Sequence, residues 1–137
     1  MSHKKNVLIL CTGNSCRSIM AEALINAHLG TCIEAQSSGV KASGKVNPHA
    51  QALLESKGEW RSSYHSKVIE TVLETPFDLV VTVCDHAHET CPTFPKVVET
   101  LHMSFDDPSG KAVEEYLVTY EKIKKELLPV VAQKLCS

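Results

Sequence analysis

The residues with the clearest chemical potential lie near the amino end, where five residues separate Cys11 from Arg17. A loop that opens a helix presents several backbone N–H groups to one point, and the helix dipole adds positive potential there. Such a loop can hold a tetrahedral oxyanion, and the guanidinium of Arg17 adds a two-pronged donor. The same field favours the thiolate of Cys11, which is the nucleophilic form. We therefore predict a phosphate-type loop, or P-loop, above a nucleophile, formed by Thr12, Gly13, Asn14, Ser15, Cys16, Arg17 and Ser18.

The elements around this loop fit that interpretation. An apolar run, Val7 to Leu10, predicts a buried strand that ends at Cys11, and Ser18 to Leu29 has the apolar spacing of a helix. Gly13 and Asn14 both tolerate the positive φ that tight loops require. The alternative is a chance spacing around a buried cysteine that serves only as a small hydrophobic residue.

Two further cysteines, Cys84 and Cys91, are candidates for redox chemistry. Cys84 follows an apolar strand, so we expect it at the same sheet edge as Cys11. On a regular helix Cys84 and Cys91 would lie roughly 10 Å apart, whereas a disulfide needs about 4.4–6.8 Å between α-carbons. A Cys84–Cys91 bond therefore requires the segment between them to unwind, which predicts a redox switch.

Two alternatives apply to the same segment. His86 and His88 stand between the two thiols, a composition that suits zinc, but the usual ligand spacings are absent and we predict no metal site. The other alternative is that both cysteines are inert packing residues.

A carboxylate candidate lies in the run Asp106-Asp107-Pro108. A general acid must reach the atom that leaves the bound oxyanion, and a loop after a strand end can deliver one. We choose Asp107 for this role. An ordinary Asp-Pro turn before a helix explains the same residues equally well.

The wider pattern alternates strands with helices. It predicts one α/β domain over residues 1–137, with a single open, mainly parallel four-stranded sheet and helices on both faces. We expect strands at 6–10, 32–38, 78–83 and 98–103, and helices at 18–29, 47–57, 66–74, 85–91 and 111–135. The last helix carries an apolar stripe from Val113 through Leu117 to Leu127, and Pro129 should kink or end it.

Composition limits the possible partners. The formal net charge is −2, and no basic run or aromatic platform indicates nucleic-acid binding. The apolar run at the amino end is too short for a signal peptide or a membrane span, so we expect a cytoplasmic monomer. We expect the six cysteines to be reduced, with Cys32 and Cys136 as structural or surface bystanders.

The chain resembles arsenate reductases built on the low-molecular-weight tyrosine phosphatase fold. The resemblance begins at Leu10 to Ser18 and Met20-Ala21-Glu22, and it covers essentially the whole chain. It continues through Ser37-Ser38-Gly39, Asn47-Pro48, Asp78 to Cys84, Cys91-Pro92 and Phe105 to Pro108. The pair Cys84 and Cys91 is typical of the thioredoxin-coupled branch rather than of the phosphatases.

The resemblance implies a three-cysteine relay. Cys11, assisted by Ser18, attacks arsenate held by Arg17 and the loop, and Asp107 protonates the departing oxygen. Cys84 then attacks Cys11 and releases arsenite, and Cys91 attacks Cys84. Thioredoxin reduces the resulting disulfide, with glutaredoxin and glutathione as the alternative donor, and no bound cofactor is needed.

Some relatives also bind potassium through side chains that match Asn14, Glu22 and Ser37, but Lys67 stands where those relatives have an aspartate. The resemblance therefore leaves potassium dependence doubtful here.

Two other functions remain open. A low-molecular-weight tyrosine phosphatase shares the loop, the arginine and the Asp-Pro acid, although Ser109 and Gly110 replace the aromatic residues that flank a phenol ring in those enzymes. A non-catalytic anion-binding or thiol-sensing module is the second.

Overall fold

The computed structural model describes residues 4–84 and 98–136. The predicted helix at 85–91, together with His86, His88 and Cys91, lies outside the described residues. The elements are β1 (Lys5–Cys11), α1 (Arg17–Leu29), β2 (Ile33–Gly39), α2 (Pro48–Ser56), a 3₁₀ turn (Ile69–Thr71), β3 (Leu79–Thr82), β4 (Glu99–His102) and α3 (Val113–Leu135).

The four strands form one parallel sheet in the order β2-β1-β3-β4. Every residue of β3 is buried, as are Val7 to Leu10 of β1, so both faces of the sheet are covered at these central strands. Helices α1 and α3 pack against each other, and α1 also packs on β1 and β2. The prediction of a single open four-stranded sheet with flanking helices is confirmed.

The predicted helix at 66–74 is wrong. Only a single 3₁₀ turn forms there, because the chain just before it pairs with β2 instead. The Gly39 N–H donates to the Lys67 carbonyl at 2.9 Å, and Val68 bridges to Gly39 with an extended backbone. Thr75 and Pro76 then prevent the turn from continuing.

The final helix differs from its prediction in two respects. It runs without interruption through Pro129, which is exposed, so the carbonyl that loses its partner at that turn can bond to water. The predicted apolar stripe is correct for Tyr116, Tyr120 and Ile123, but Val113 and Leu117 are exposed. No helix in the described part of the chain is long and apolar enough to cross a bilayer.

A disulfide joins Cys32, just before β2, to Cys136, at the end of α3, with 5.9 Å between the α-carbons. The expectation of reduced thiols is therefore wrong for this pair. Because the two cysteines are 104 positions apart in sequence, no local sequence pattern could have paired them.

Candidate active site

Hydrogen bonds from a neighbouring stretch of backbone, residues 40–47, to the carbonyl groups of the loop hold the loop between β1 and α1 in place. The carbonyls of Cys11, Thr12 and Gly13 accept backbone N–H bonds from residues 40, 41 and 43 at 2.9–3.1 Å, and the Ser15 carbonyl accepts from the Asn47 N–H at 2.8 Å. In a trans peptide the next residue's N–H points the opposite way. The N–H groups of Thr12, Gly13, Asn14 and Cys16 therefore face the centre of the loop.

These inward N–H groups are available to a ligand. Among residues 4–84 and 98–136, no hydrogen bond uses the backbone N–H of residues 13 to 16, and α1 has no side-chain cap at its start. An open helix end with convergent N–H groups is a geometry that suits an anion. The loop conformation is compatible with the prediction for residues 12–18, and oxyanion binding by these residues stays a prediction.

Asn14 fixes the conformation of the loop. It is fully buried with a φ of 50°, and its amide donates to Ser18 Oγ at 2.8 Å and to Ser37 Oγ at 2.9 Å. Its Oδ1 accepts the Lys67 N–H at 2.8 Å. Of the two loop residues that tolerate positive φ, Gly13 and Asn14, it is Asn14 that adopts it.

The close approach of β2 to the loop explains a glycine at position 39. A Cβ there would lie 2.6 Å from the Thr12 carbonyl oxygen and 3.0 Å from the Asn14 Cβ. Real Cβ atoms do not approach carbonyl oxygens so closely. The resemblance included this residue, but its steric reason is visible only once β2 and the loop are placed together.

Arg17 lies between the loop and the chain that follows β4. Its Nη1 donates to the Phe105 carbonyl at 3.0 Å, and its Nη2 lies 3.5 Å from Asp107 Oδ2. Asp107 is half exposed, and its Oδ1 accepts the Ser109 N–H at 3.0 Å, which is the Asx turn that an Asp-Pro sequence favours. The acid candidate therefore stands beside the arginine of the anion loop.

Cys84 reaches the same place from the end of β3. Its Sγ lies 3.1 Å from Thr12 Oγ1, in the residue that follows Cys11. The carboxyl ends of β1 and β3 thus bring two buried thiols to the same loop across 73 positions of sequence. Cys91 lies outside the described residues.

The electrostatics of Cys11 differ from the sequence expectation. The hydrogen bond with Cys84 and burial raise the pKa of the Cys11 thiol, whereas Arg17 and the Thr12 N–H act to lower that pKa. The raising causes win, so Cys11 is a thiol in this structure rather than a thiolate. Burial also raises the pKa of the neighbouring Cys16 to about 12, and Asp107 adds to that shift.

Ser18 has a different partner from the one implied by the resemblance. Its hydroxyl accepts from Asn14, and among the described residues no hydrogen bond joins it to Cys11. Ser18 therefore supports the loop through Asn14.

Glu22 is the last member of a buried network of hydrogen bonds that begins at Asn14 in the loop. Ser37 Oγ donates to Glu22 Oε1 at 2.6 Å while accepting from Asn14. Burial raises the pKa of Glu22 to about 7, and the charges of Lys67 and Arg61 oppose that shift. A potassium site does not fit these residues, because Asn14 Oδ1 is occupied by a backbone N–H and the charge of Lys67 already acts on the carboxylate. Within the described ranges, no group of three or more His, Cys, Asp or Glu side chains is placed to hold a metal ion.

Comparison with known proteins identifies the family of this site. The sequence profile described as low molecular weight phosphotyrosine protein phosphatase matches residues 6–135. The chain belongs to that family.

The similar proteins carry two different names, arsenate reductase and tyrosine phosphatase. The arsenate reductase of Brevibacillus brevis is 44% identical over 116 residues, which are 85% of this chain and 86% of that protein. The structure of an arsenate reductase from Archaeoglobus fulgidus has a TM-score of 0.78 at 29% identity, over 92% of this chain and 98% of that one.

A second solved structure is a low molecular weight protein tyrosine phosphatase from T. tengcongensis. It matches with a TM-score of 0.81 at 30% identity and covers 96% of this chain and all of its own. Membership of the family therefore establishes the fold and shows that the chain is an enzyme of this class. Whether the reaction is reduction or phosphate hydrolysis depends on the arrangement of the cysteine thiols.

Proposed function

We propose that this protein is an arsenate reductase that uses its own cysteines as the source of two electrons. The observation that carries the proposal is the position of the buried Cys84 thiol, which follows the strand beside β1 and lies 3.1 Å from the hydroxyl of Thr12, the residue after Cys11. Phosphate ester hydrolysis needs one nucleophile and a water molecule, whereas reduction needs a second thiol within reach of the first. The curated relatives named arsenate reductase support the same function.

In the first step, arsenate occupies the loop and its charge is balanced by the inward N–H groups and Arg17. The Cys11 thiol passes its proton to an arsenate oxygen as its Sγ attacks arsenic and an As–S bond forms, and a hydroxyl group leaves as water after Asp107 supplies a second proton. The 3.5 Å contact between Arg17 and Asp107 supports this role, because Arg17 is the side chain that would hold the anion.

In the second step, Cys84 attacks the sulfur of Cys11. The S–As bond breaks, its electron pair stays on arsenic, and arsenic(V) becomes arsenic(III) as a Cys11–Cys84 disulfide forms. Arsenite then leaves. The 3.1 Å contact between Cys84 Sγ and Thr12 Oγ1 supports this step, because it holds the attacking sulfur at the residue next to Cys11.

The third step rests on the sequence, because Cys91 lies outside the described residues. Cys91 attacks Cys84, Cys11 is released as a thiol, and a Cys84–Cys91 disulfide carries the two oxidising equivalents. Thioredoxin returns this disulfide to the dithiol, so electrons balance without a bound cofactor, and glutaredoxin with glutathione is the alternative donor.

The proposal is tested by arsenate-dependent oxidation of NADPH in the presence of thioredoxin and thioredoxin reductase, with a glutaredoxin and glutathione assay in parallel. We expect turnover by the native protein and none by the Cys11→Ser, Cys84→Ser or Cys91→Ser variants. Hydrolysis of p-nitrophenyl phosphate is the matched control, because it needs Cys11 but not the other two thiols. Sustained arsenate turnover by Cys84→Ser, with that hydrolysis intact, would contradict the relay.

A tyrosine phosphatase is the second candidate, favoured by the solved phosphatase structure of the same fold. After the acid candidate, however, this chain has Ser109 and Gly110, which offer no ring to a phenol. Efficient hydrolysis of phosphotyrosine peptides without arsenate-dependent NADPH oxidation would favour the phosphatase. Absence of both activities would favour a thiol-sensing module.

A further inference from the structure

We infer that Cys32 and Cys136 form a second thiol–disulfide couple, separate from the catalytic thiols, whose oxidation fastens the end of α3 to the edge of the sheet. The inference does not depend on arsenate reduction. It starts from the disulfide between these residues, which joins the start of β2 to the residue that ends α3.

The couple lies at the opposite end of the sheet from the anion loop. Cys32 immediately precedes β2 at its amino end, whereas Gly39 at the carboxyl end of β2 pairs with Cys11. Six strand residues at about 3.3 Å each place roughly 20 Å between the two ends. Thiol exchange requires contact between sulfurs, so this pair cannot exchange directly with Cys11 or Cys84.

The last turns of α3 connect both edge strands of the sheet. Lys134 Nζ pairs with Glu99 at the start of β4, and Cys136 bonds to Cys32 beside β2. These strands are the two outer members of the sheet order. The ionic connection is exposed to solvent and contributes little, so of these two connections the covalent one is the stronger.

The chemistry is reversible because both cysteines are half-buried rather than sealed in the core. Two thiols give up two electrons and two protons to a small disulfide such as oxidised glutathione, which becomes two thiols, and one S–S bond forms in the protein. A dithiol such as dithiothreitol reverses the exchange. The stability of the fold should therefore depend on the ratio of thiol to disulfide in the surrounding solution.

The long sequence distance adds to the expected stability change. Closing a loop of about a hundred residues restricts the unfolded chain more than closing a short one, with an effect that grows as the logarithm of loop length. For a domain of this size, a disulfide of typical strength should raise the melting temperature by roughly 6–12 °C.

The test is thermal unfolding of the native protein in buffers poised with oxidised glutathione or with dithiothreitol, and mass spectrometry of alkylated peptides identifies the bonded cysteines. Because the oxidising buffer can also link catalytic thiols, the same pair of scans is run on Cys136→Ser. We expect a Cys32–Cys136 peptide and the higher melting temperature in the native protein. In Cys136→Ser, most of the difference between the two buffers should be lost.

Two further measurements keep the inference decidable. Glu99→Gln is the matched control, since it removes the ionic connection of α3 and should leave the redox difference intact. Hydrogen exchange of the native protein, which needs no variant, should slow in the oxidised form at residues 131–136. Full alkylation of Cys32 and Cys136 in the oxidising buffer would overturn the inference, as would a bond that changes neither melting nor exchange.

Discussion

At the level of single residues, Asn14 combines a left-handed backbone conformation with three buried hydrogen bonds. Asparagine tolerates this conformation better than most residues, because its short side chain can bond locally. Its amide orients Ser18 and Ser37, and its carbonyl oxygen holds the backbone of Lys67. The side chain thus connects the anion loop to β2 and to the chain before the 3₁₀ turn.

We predict that Asn14→Ala weakens oxyanion binding and turnover. Losing hydrogen bonds worth about 1 kcal/mol each while keeping a positive φ should relax the loop, and each 1.4 kcal/mol lost from transition-state binding costs about tenfold in kcat/KM. We expect a fall of roughly ten- to a hundredfold. Inhibition by phosphate, measured as an inhibition constant, should weaken in parallel.

Asn26→Ala is the matched control for that variant. Asn26 is also buried and also makes three hydrogen bonds, with the Ala35 backbone and the Tyr64 hydroxyl, but it does not touch the loop. It should lose comparable stability and keep its phosphate affinity. Equal loss of phosphate affinity in both variants would show that the effect of Asn14 is general destabilisation.

At the level of elements, β2 packs against the loop and restricts its conformation. Its last residues supply Ser37 to the buried network and Gly39 to the contact with Thr12. Gly39 also pairs with β1 on one side and bonds the chain at Lys67 on the other. The loop therefore depends on a strand that begins more than twenty residues after Cys11.

We predict that Gly39→Ala pushes the loop out of position. The added methyl group would meet backbone atoms that cannot rotate away, so the Thr12 carbonyl must move together with the N–H next to it. Turnover should fall by tenfold or more, as expected for a misplacement of about 1 Å. Steady-state assays with arsenate and with p-nitrophenyl phosphate should show the same loss.

A comparable clash elsewhere provides the control. An alanine at Gly30 would overlap the Asn26 carbonyl oxygen at the end of α1, at the other end of that helix from the loop. Gly30→Ala should lower the melting temperature without changing the inhibition constant for phosphate. If Gly39→Ala behaved in the same way, the steric role of Gly39 in shaping the loop would be wrong.

At the level of the whole molecule, Glu22 couples the stability of the fold to pH. Burial raises its pKa from 4.5 to about 7 in the folded state, so the folded protein binds a proton that the unfolded chain releases between these values. Stability from this group is fully present below about pH 4.5 and is lost as the pH rises through 7. The contribution of Glu22 to the free energy of unfolding therefore changes by the order of 3 kcal/mol between low and high pH.

We predict that Glu22→Gln removes this pH dependence. Glutamine keeps an acceptor for the Ser37 hydroxyl but does not ionise. Urea unfolding of both proteins at pH 5, 6, 7 and 8 should show the variant gaining stability relative to the native protein as pH rises. Parallel stability curves across this range would mean that Glu22 does not titrate there.

Much of this molecule could be predicted from sequence because its signals are local. The run ending at Cys11, the spacing to Arg17 and the β-branched run before Cys84 define the loop, β1 and β3, and the parallel-sheet rule brings their ends together. The predictions that are wrong concern contacts between residues distant in sequence. Val68 pairs with Gly39 instead of forming a helix, and Cys32 finds Cys136 across 104 positions.

The pKa of Cys11 illustrates the same limit at the site itself. A sequence shows which groups favour the thiolate, but burial and the contact with Cys84 appear only in three dimensions, and these two outweigh Arg17. The roles assigned to Asp107 and Cys91 stay predictions, and Asp107 lies 3.5 Å from Arg17.

The stretch from Val40 to Asn47 supports the loop chiefly through main-chain N–H groups. At Lys41, whose side chain is exposed and whose N–H bonds the Thr12 carbonyl, mutational tolerance should consequently be broad. Substitutions that keep the amide hydrogen should be neutral there, whereas proline, which has none, should be selectively excluded. In a saturation library selected for growth on arsenate, this position would accept almost any side chain and reject a single residue type.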